Sequence, residues 1–178
     1  NFTPPTAAQL ARLPNVEQRQ LGLYAQDQLK WGRWSATLGL RHDSAKTDTE
    51  GRPAAAADDS AWTKRAGVTY QMDGGWAPYA GYSESFQPLG GVDAYGTPFK
   101  PQRGQQWEAG IKWQPPGGGI SAFAAVYTLR EKSRKTNDPA NPLNSLQLGE
   151  VKVNGFEAEL SASLARQWDA TLAYAYTD

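Results

Sequence analysis

The sequence predicts an all-β fold, an antiparallel up-and-down meander of about eight long strands of the kind that builds transmembrane barrels. Three observations predict it. Apolar and polar residues alternate with period two through most of the chain after Gln20. Connections alternate between tight turns at one end of the meander and long segments at the other. Tryptophan gathers beside the tight turns.

The elements follow in order. Leu21, Leu23, Ala25 and Leu29 alternate with Gly22, Tyr24, Gln26, Gln28 and Lys30, and Gly32–Arg33 turns the chain. Trp34, Ala36, Leu38 and Leu40 then oppose Ser35, Thr37, Gly39, Arg41 and Asp43. A third strand, Trp62–Gln71, sets Ala66, Val68 and Tyr70 against Arg65, Gly67 and Thr69. Asp73–Gly75 leads into Trp76–Phe86, a strand whose facing is ambiguous. In Gln102–Trp113, Trp107, Ala109, Ile111 and Trp113 oppose Gln106, Glu108, Gly110 and Lys112. Pro115–Gly119 turns into Ile120–Arg130, again ambiguous in facing. Phe156, Ala158, Leu160 and Ala162 oppose Gly155, Glu157, Glu159 and Ser161. After a turn near Ala165–Gln167, Trp168, Ala170, Leu172, Tyr174 and Tyr176 close the series. Most of these strands run about 10–13 residues, against about 5–6 in ordinary globular sheets.

The long segments are Lys46–Ser60, Pro88–Pro101 and Ser133–Gln147, rich in turn formers. Residues 1–19 are expected to be a loop leading into the first strand, with Thr6–Leu13 a short helix capped by Thr6. Short turns at one end and long loops at the other are the asymmetry of outer-membrane barrels. Trp31, Trp34, Trp76, Trp113 and Trp168 lie beside the short turns, where indole rings suit a water–lipid interface; Trp62 and Trp107 do not. A soluble sandwich with a tryptophan core is the competing reading.

Composition removes most other options. The chain has 178 residues with 18 Lys+Arg against 18 Asp+Glu, so no net field draws it to nucleic acid. It has no cysteine and one histidine, which excludes disulfides, thiolate metal sites and histidine-rich metal centres. No apolar run approaches the roughly 20 residues of a membrane-spanning helix. The polar stripe carries Glu108, Glu157 and Glu159, expected to form a ladder with Arg41, Arg65 and Lys112 rather than an acid–base pair. His42 beside Asp43 reads as a solvated strand end. No phosphate loop, nucleophile elbow or metal cluster appears. No catalytic residue and no metal ligand is expected.

Several segments then carry a resemblance. They are Gly22-Leu23-Tyr24-Ala25-Gln26-Asp27-Gln28, Trp34 through Gly39-Leu40-Arg41-His42-Asp43, and Pro78-Tyr79-Ala80-Gly81-Tyr82-Ser83-Glu84-Ser85-Phe86-Gln87-Pro88. Gly96-Thr97-Pro98-Phe99-Lys100-Pro101, Gln105 through Glu108, Gly110 and Lys112-Trp113 continue it. Asp138-Pro139 through Gln147, Gly149-Glu150, Gly155-Phe156-Glu157-Ala158-Glu159 and Leu172 through Asp178 follow in the same order. In order and spacing these resemble the barrel of TonB-dependent outer-membrane siderophore receptors, the ferrichrome- and ferrioxamine-like group.

The resemblance implies a barrel of about 22 strands closed by an N-terminal plug. Residues 1–178 are then a middle portion, about a third of the barrel, without the plug or its energy-coupling box. It implies uptake of a ferric siderophore across the outer membrane of a Gram-negative bacterium. The implied partners are the ferric siderophore, outer-membrane lipid and, through the plug, the TonB energy-coupling complex. No nucleic acid and no cofactor is expected, iron entering only within the ferric-siderophore ligand. The long-loop side offers Phe86, Tyr95 and Phe99 as ligand-binding aromatics, Phe99 in the stretch that matches the family. Two other readings stand beside this one. The first is a complete small eight-stranded outer-membrane barrel with a structural or adhesive role. The second is an outer-membrane hydrolase, for which His42 would have to face the lumen.

Overall fold

Each alternating segment becomes one strand of a single sheet, because a long strand satisfies its backbone only through its neighbours. The computed structural model describes residues 15–51, 53–93, 95–141 and 144–178, so Thr6–Leu13 lies outside the described residues. The strands are β1 (Val16–Trp31), β2 (Trp34–Thr49), β3 (Ala57–Tyr70), β4 (Trp76–Gln87), β5 (Gln102–Trp113), β6 (Ile120–Asn137), β7 (Ser145–Ala165) and β8 (Trp168–Thr177). They are hydrogen-bonded in sequence order, each to the next and every pair antiparallel. The ladder ends at β1 and β8, which do not pair with each other. A closed eight-stranded barrel would join them.

The register sorts every strand into two faces. Asp43 stands opposite Gly22 and Ala61, whereas Leu38 stands opposite Asp27 and Ala66. Carried across the sheet, one face holds Gln20, Arg41, Tyr79, Glu108 and Glu157. The other holds Leu23, Leu38, Val68, Ile111, Leu160 and Leu172. The two ambiguous strands are resolved. Trp76, Pro78, Ala80 and Tyr82 lie on the apolar face of β4, and Ala122, Ala124 and Val126 on that of β6. A water-soluble sheet covers its apolar face with a second layer. Here the buried apolar residues are Ala45, Ala55, Ala61, Ala77, Ala125 and Phe99, while Leu23 and Leu172 stay 69% and 71% exposed. Among the described residues no second layer covers the apolar face, and such a face suits hydrocarbon, as the alternating spans of a membrane barrel require.

Aromatic pairs band that face at two heights. Beside the short turns, Trp34 packs on Tyr70 with centroids 4.6 Å apart, and Trp76 on Trp113 at 5.4 Å. Trp62 and Trp107, which no short turn explains, join His42 and Tyr82 in a second band, each pair at 4.6 Å. From Trp34 to His42, at about 3.3 Å per residue and a tilt of about 40°, the bands stand roughly 20 Å apart along the membrane normal. His42 therefore faces away from the polar face that the hydrolase reading needs. Asp27 interrupts the stripe between the bands, its Oδ1 accepting the Gln28 N–H at 2.8 Å.

Strands run further than alternation indicated. β1 starts at Val16, β2 reaches Thr49, β3 begins at Ala57, and β6 and β7 pair from Asn137 and Ser145. Above the upper band neither face needs apolar residues, so pairing continues while the pattern lapses. One seam is short: β3 and β4 pair only over Arg65–Thr69 and Tyr79–Ser83. Pro78, just below, has no N–H to extend it. Above, the Glu84 carboxylate accepts the Lys64 N–H at 3.2 Å and takes the place of the next rung. At the short-turn end, Arg33 donates two hydrogen bonds to Asp73, at 3.0 and 2.8 Å, tying one turn to the next.

Candidate functional site

The polar face and the long-loop end are where a ligand can meet this chain. Side chains on the polar wall lie along it. The Tyr79 hydroxyl donates to Glu108 at 2.7 Å, Gln106 donates to the other carboxylate oxygen at 3.0 Å, and Lys112 sits 5.0 Å from the Tyr79 ring centre. Arg41 donates two bonds to Asp43, both 2.7 Å, and Gln20 adds a third at 2.9 Å. Ser161 donates to Glu159 at 3.2 Å. The expected ladder between Glu108, Glu157, Glu159 and Arg41, Arg65, Lys112 is not what forms: among the described residues no ion pair joins these groups. Arg41 pairs instead with Asp43 on its own strand, Arg65 stands two strands from Glu108, and the Tyr79 ring over Gly110 comes between Glu108 and Lys112 of β5.

Glycines on this face make room for the flattened side chains. Tyr79 lies over Gly110, Tyr127 over Gly155, and Arg41 over Gly22. A Cβ at Gly110 would stand 2.6 Å from the Ala124 carbonyl oxygen.

The connection between β4 and β5 folds over the upper end of this face. Gly90 abuts Val16 and Thr47, which belong to β1 and β2. Val92 and Pro98 form an antiparallel bridge. Between them the Asp93 Oδ1 accepts the N–H groups of Tyr95 and Thr97 at 2.9 and 2.8 Å, closing a tight turn. Beyond it Phe99 is buried, its N–H donated to Gly91 O at 3.2 Å and its ring 4.7 Å from Lys135 Nζ of β6. Outside the bands, burial holds the Asp59 carboxyl above its ordinary range, with the Arg103 guanidinium acting the other way.

Of the three expected aromatics, two lie on the connection over the polar face and one does not. Tyr95 is 90% exposed at the tip of the turn, and Phe99 anchors the same connection from below. Phe86 stands opposite Arg103 on the other face of the sheet, with that guanidinium 5.7 Å from its ring centre. Residues that sequence reasoning missed are Gln147 and Lys135, which hold the connection from β7 and β6. They reach it across long stretches of chain, and no local motif marks them.

Comparison with known proteins agrees with this geometry. Residues 1–178 match the family described as TonB dependent receptor-like, beta-barrel. The chain is 38% identical over 165 residues to the ferrichrome outer membrane transporter/phage receptor of Escherichia coli K12, covering 91% of this chain and 22% of that protein. It is 37% identical over 164 residues to the ferrioxamine B receptor of Salmonella typhimurium, covering 90% and 23%. In fold it is similar to the ferripyoverdine receptor of the outer membrane of Pseudomonas aeruginosa, with a TM-score of 0.77, 24% identity and coverage of 92% and 23%. The chain thus spans less than a quarter of the length of these relatives.

Proposed function

The chain belongs to the TonB-dependent receptor β-barrel family, and from that premise we propose that it is a section of barrel wall in an outer-membrane receptor that takes up a ferric siderophore. The observation that carries the reading is the two-faced sheet. An apolar face between two aromatic bands meets lipid, and a polar face with side chains laid along it lines a bore. The wall does no covalent chemistry. It spans the outer membrane of a Gram-negative cell, encloses the plug and presents the mouth. Iron is cargo within the chelate, and no resident cofactor is needed. Energy comes from the TonB complex acting on a plug outside these residues.

At the mouth, Tyr95 is the ligand contact and Phe99 the anchor of the connection that carries it. A tyrosine ring supplies broad contact to an organic chelate and loses little conformational freedom in doing so. Replacing Tyr95 by Ala in the complete receptor is expected to weaken ferric-siderophore binding about tenfold, about 1.4 kcal/mol, at unchanged surface level. Ferrichrome and ferrioxamine B are the first probes, with affinity and surface expression measured separately. Unchanged affinity at normal surface level removes Tyr95 from the site.

A further inference from the structure

The connection between β4 and β5 is fastened at both ends, and the fastening at its β5 end is unusual. Gln147 uses its whole amide there. Its Oε1 accepts the Lys100 N–H at 2.9 Å, and its Nε2 donates to Lys100 O at 2.7 Å and to Ser133 O at 3.0 Å. The amide thus pairs with the Lys100 backbone as another strand would. Ser133 has φ of 59°, the one non-glycine residue among the described residues in the left-handed region. That conformation is disfavoured for serine, and such residues persist where the surroundings over-determine them. Next to this clasp Phe99 is buried beneath Lys135. At the far end Gly90 lies so close to β1 and β2 that a Cβ would meet Val16 Cγ1 at 2.6 Å. Between the two fastenings, the Tyr95 ring stands free.

We propose that Gln147 is a positioning residue for ligand binding: its amide clasps the connection at Lys100 and Ser133, and so fixes the turn that presents Tyr95 over the mouth. The inference rests on the reading of Tyr95 as a ligand contact. The chemistry is specific to an amide. Two carbonyl oxygens need donors and one N–H needs an acceptor, and a glutamine side chain supplies all three functions in one plane. A glutamate of the same shape supplies none of the donors and sets a carboxylate against two carbonyls.

The test uses the complete receptor in four forms: unaltered, Gln147→Glu, Tyr95→Ala, and both together. A nitroxide on Thr97→Cys, an exposed position in a segment free of cysteine, reports the mobility of the turn with and without Gln147→Glu. The expected result is a label that becomes mobile in Gln147→Glu. Ferrichrome or ferrioxamine B affinity is expected to fall about tenfold when Tyr95 is present, and no more than about twofold when Tyr95 is already Ala. An immobile label in Gln147→Glu overturns the clasp. Equal affinity losses in both backgrounds overturn positioning through Tyr95. If Tyr95→Ala alone leaves affinity unchanged, the ligand-contact reading fails and the role of Gln147 in binding fails with it, while the label still decides whether the clasp holds the turn.

Discussion

At Gly110 the wall has no space for a side chain. A methyl there meets the Ala124 carbonyl oxygen, which is backbone, as well as the Tyr79 ring at 2.8 Å. At Gly155 the obstruction is the Tyr127 side chain, which can swing aside. Gly110→Ala is therefore expected to cost about 1–3 kcal/mol, with Gly155→Ala clearly cheaper. Equilibrium unfolding of the intact receptor in lipid vesicles measures both, and equal costs would mean that the backbone yields as easily as a ring. Face assignment is testable in the same way. Leu172 stands opposite Leu160 on the lipid side, midway between Trp168 and Tyr176, while Thr171 Oγ1 lies 3.1 Å from Ser161 Oγ on the bore side. Leu172→Arg is expected to lose about 2–4 kcal/mol and Thr171→Arg much less. The reverse order would place the wrong face in lipid.

Among the elements, the β3–β4 seam is the weakest join. Its ladder covers five pairs, against 17 for β6–β7, and the Glu84 side chain supplies what the next rung would. Amide exchange in the intact receptor is expected to be faster in the upper part of β3 than along β6–β7, and faster still at Lys64 in Glu84→Ala. Uniform protection along both seams would show that this seam is no weaker than β6–β7, and an unchanged rate at Lys64 in Glu84→Ala would show that Glu84 does not hold it. Much of this architecture was legible in the sequence, because lipid on one face and water on the other write themselves as period two. The strand ends were not legible. In Lys46-Thr47-Asp48-Thr49 and from Ser133 to Asn137 both faces are polar, and the residues read as loop although the backbone pairs. Phe86 was read for its ring and its place beside a loop, whereas its face depends on register with Arg103. Gln147 lay beyond reach for another reason: its partner Lys100 is 47 residues away, and pairing of that range leaves no local trace.

For the whole molecule, the two unpaired edges decide how residues 1–178 behave alone. β1 and β8 each present a row of backbone groups that hydrocarbon cannot satisfy. Expressed by itself in detergent, the segment is expected to aggregate and give no heat-modifiable monomer on electrophoresis. A monodisperse, heat-modifiable monomer would instead mean that the sheet closes. The flattened bore-facing side chains have a consequence of another kind, for adhesion. Arg41, Asp43, Glu108 and Glu159 already hold hydrogen bonds within the wall. A group on whatever fills the bore meets only the remaining donors and acceptors of these side chains, and exchanging their bonds to water for bonds to the occupant gains little net free energy. Such a wall grips by shape and slides by chemistry. An occupant can fit it closely and still shift against it, with the low friction of a well-lubricated bearing.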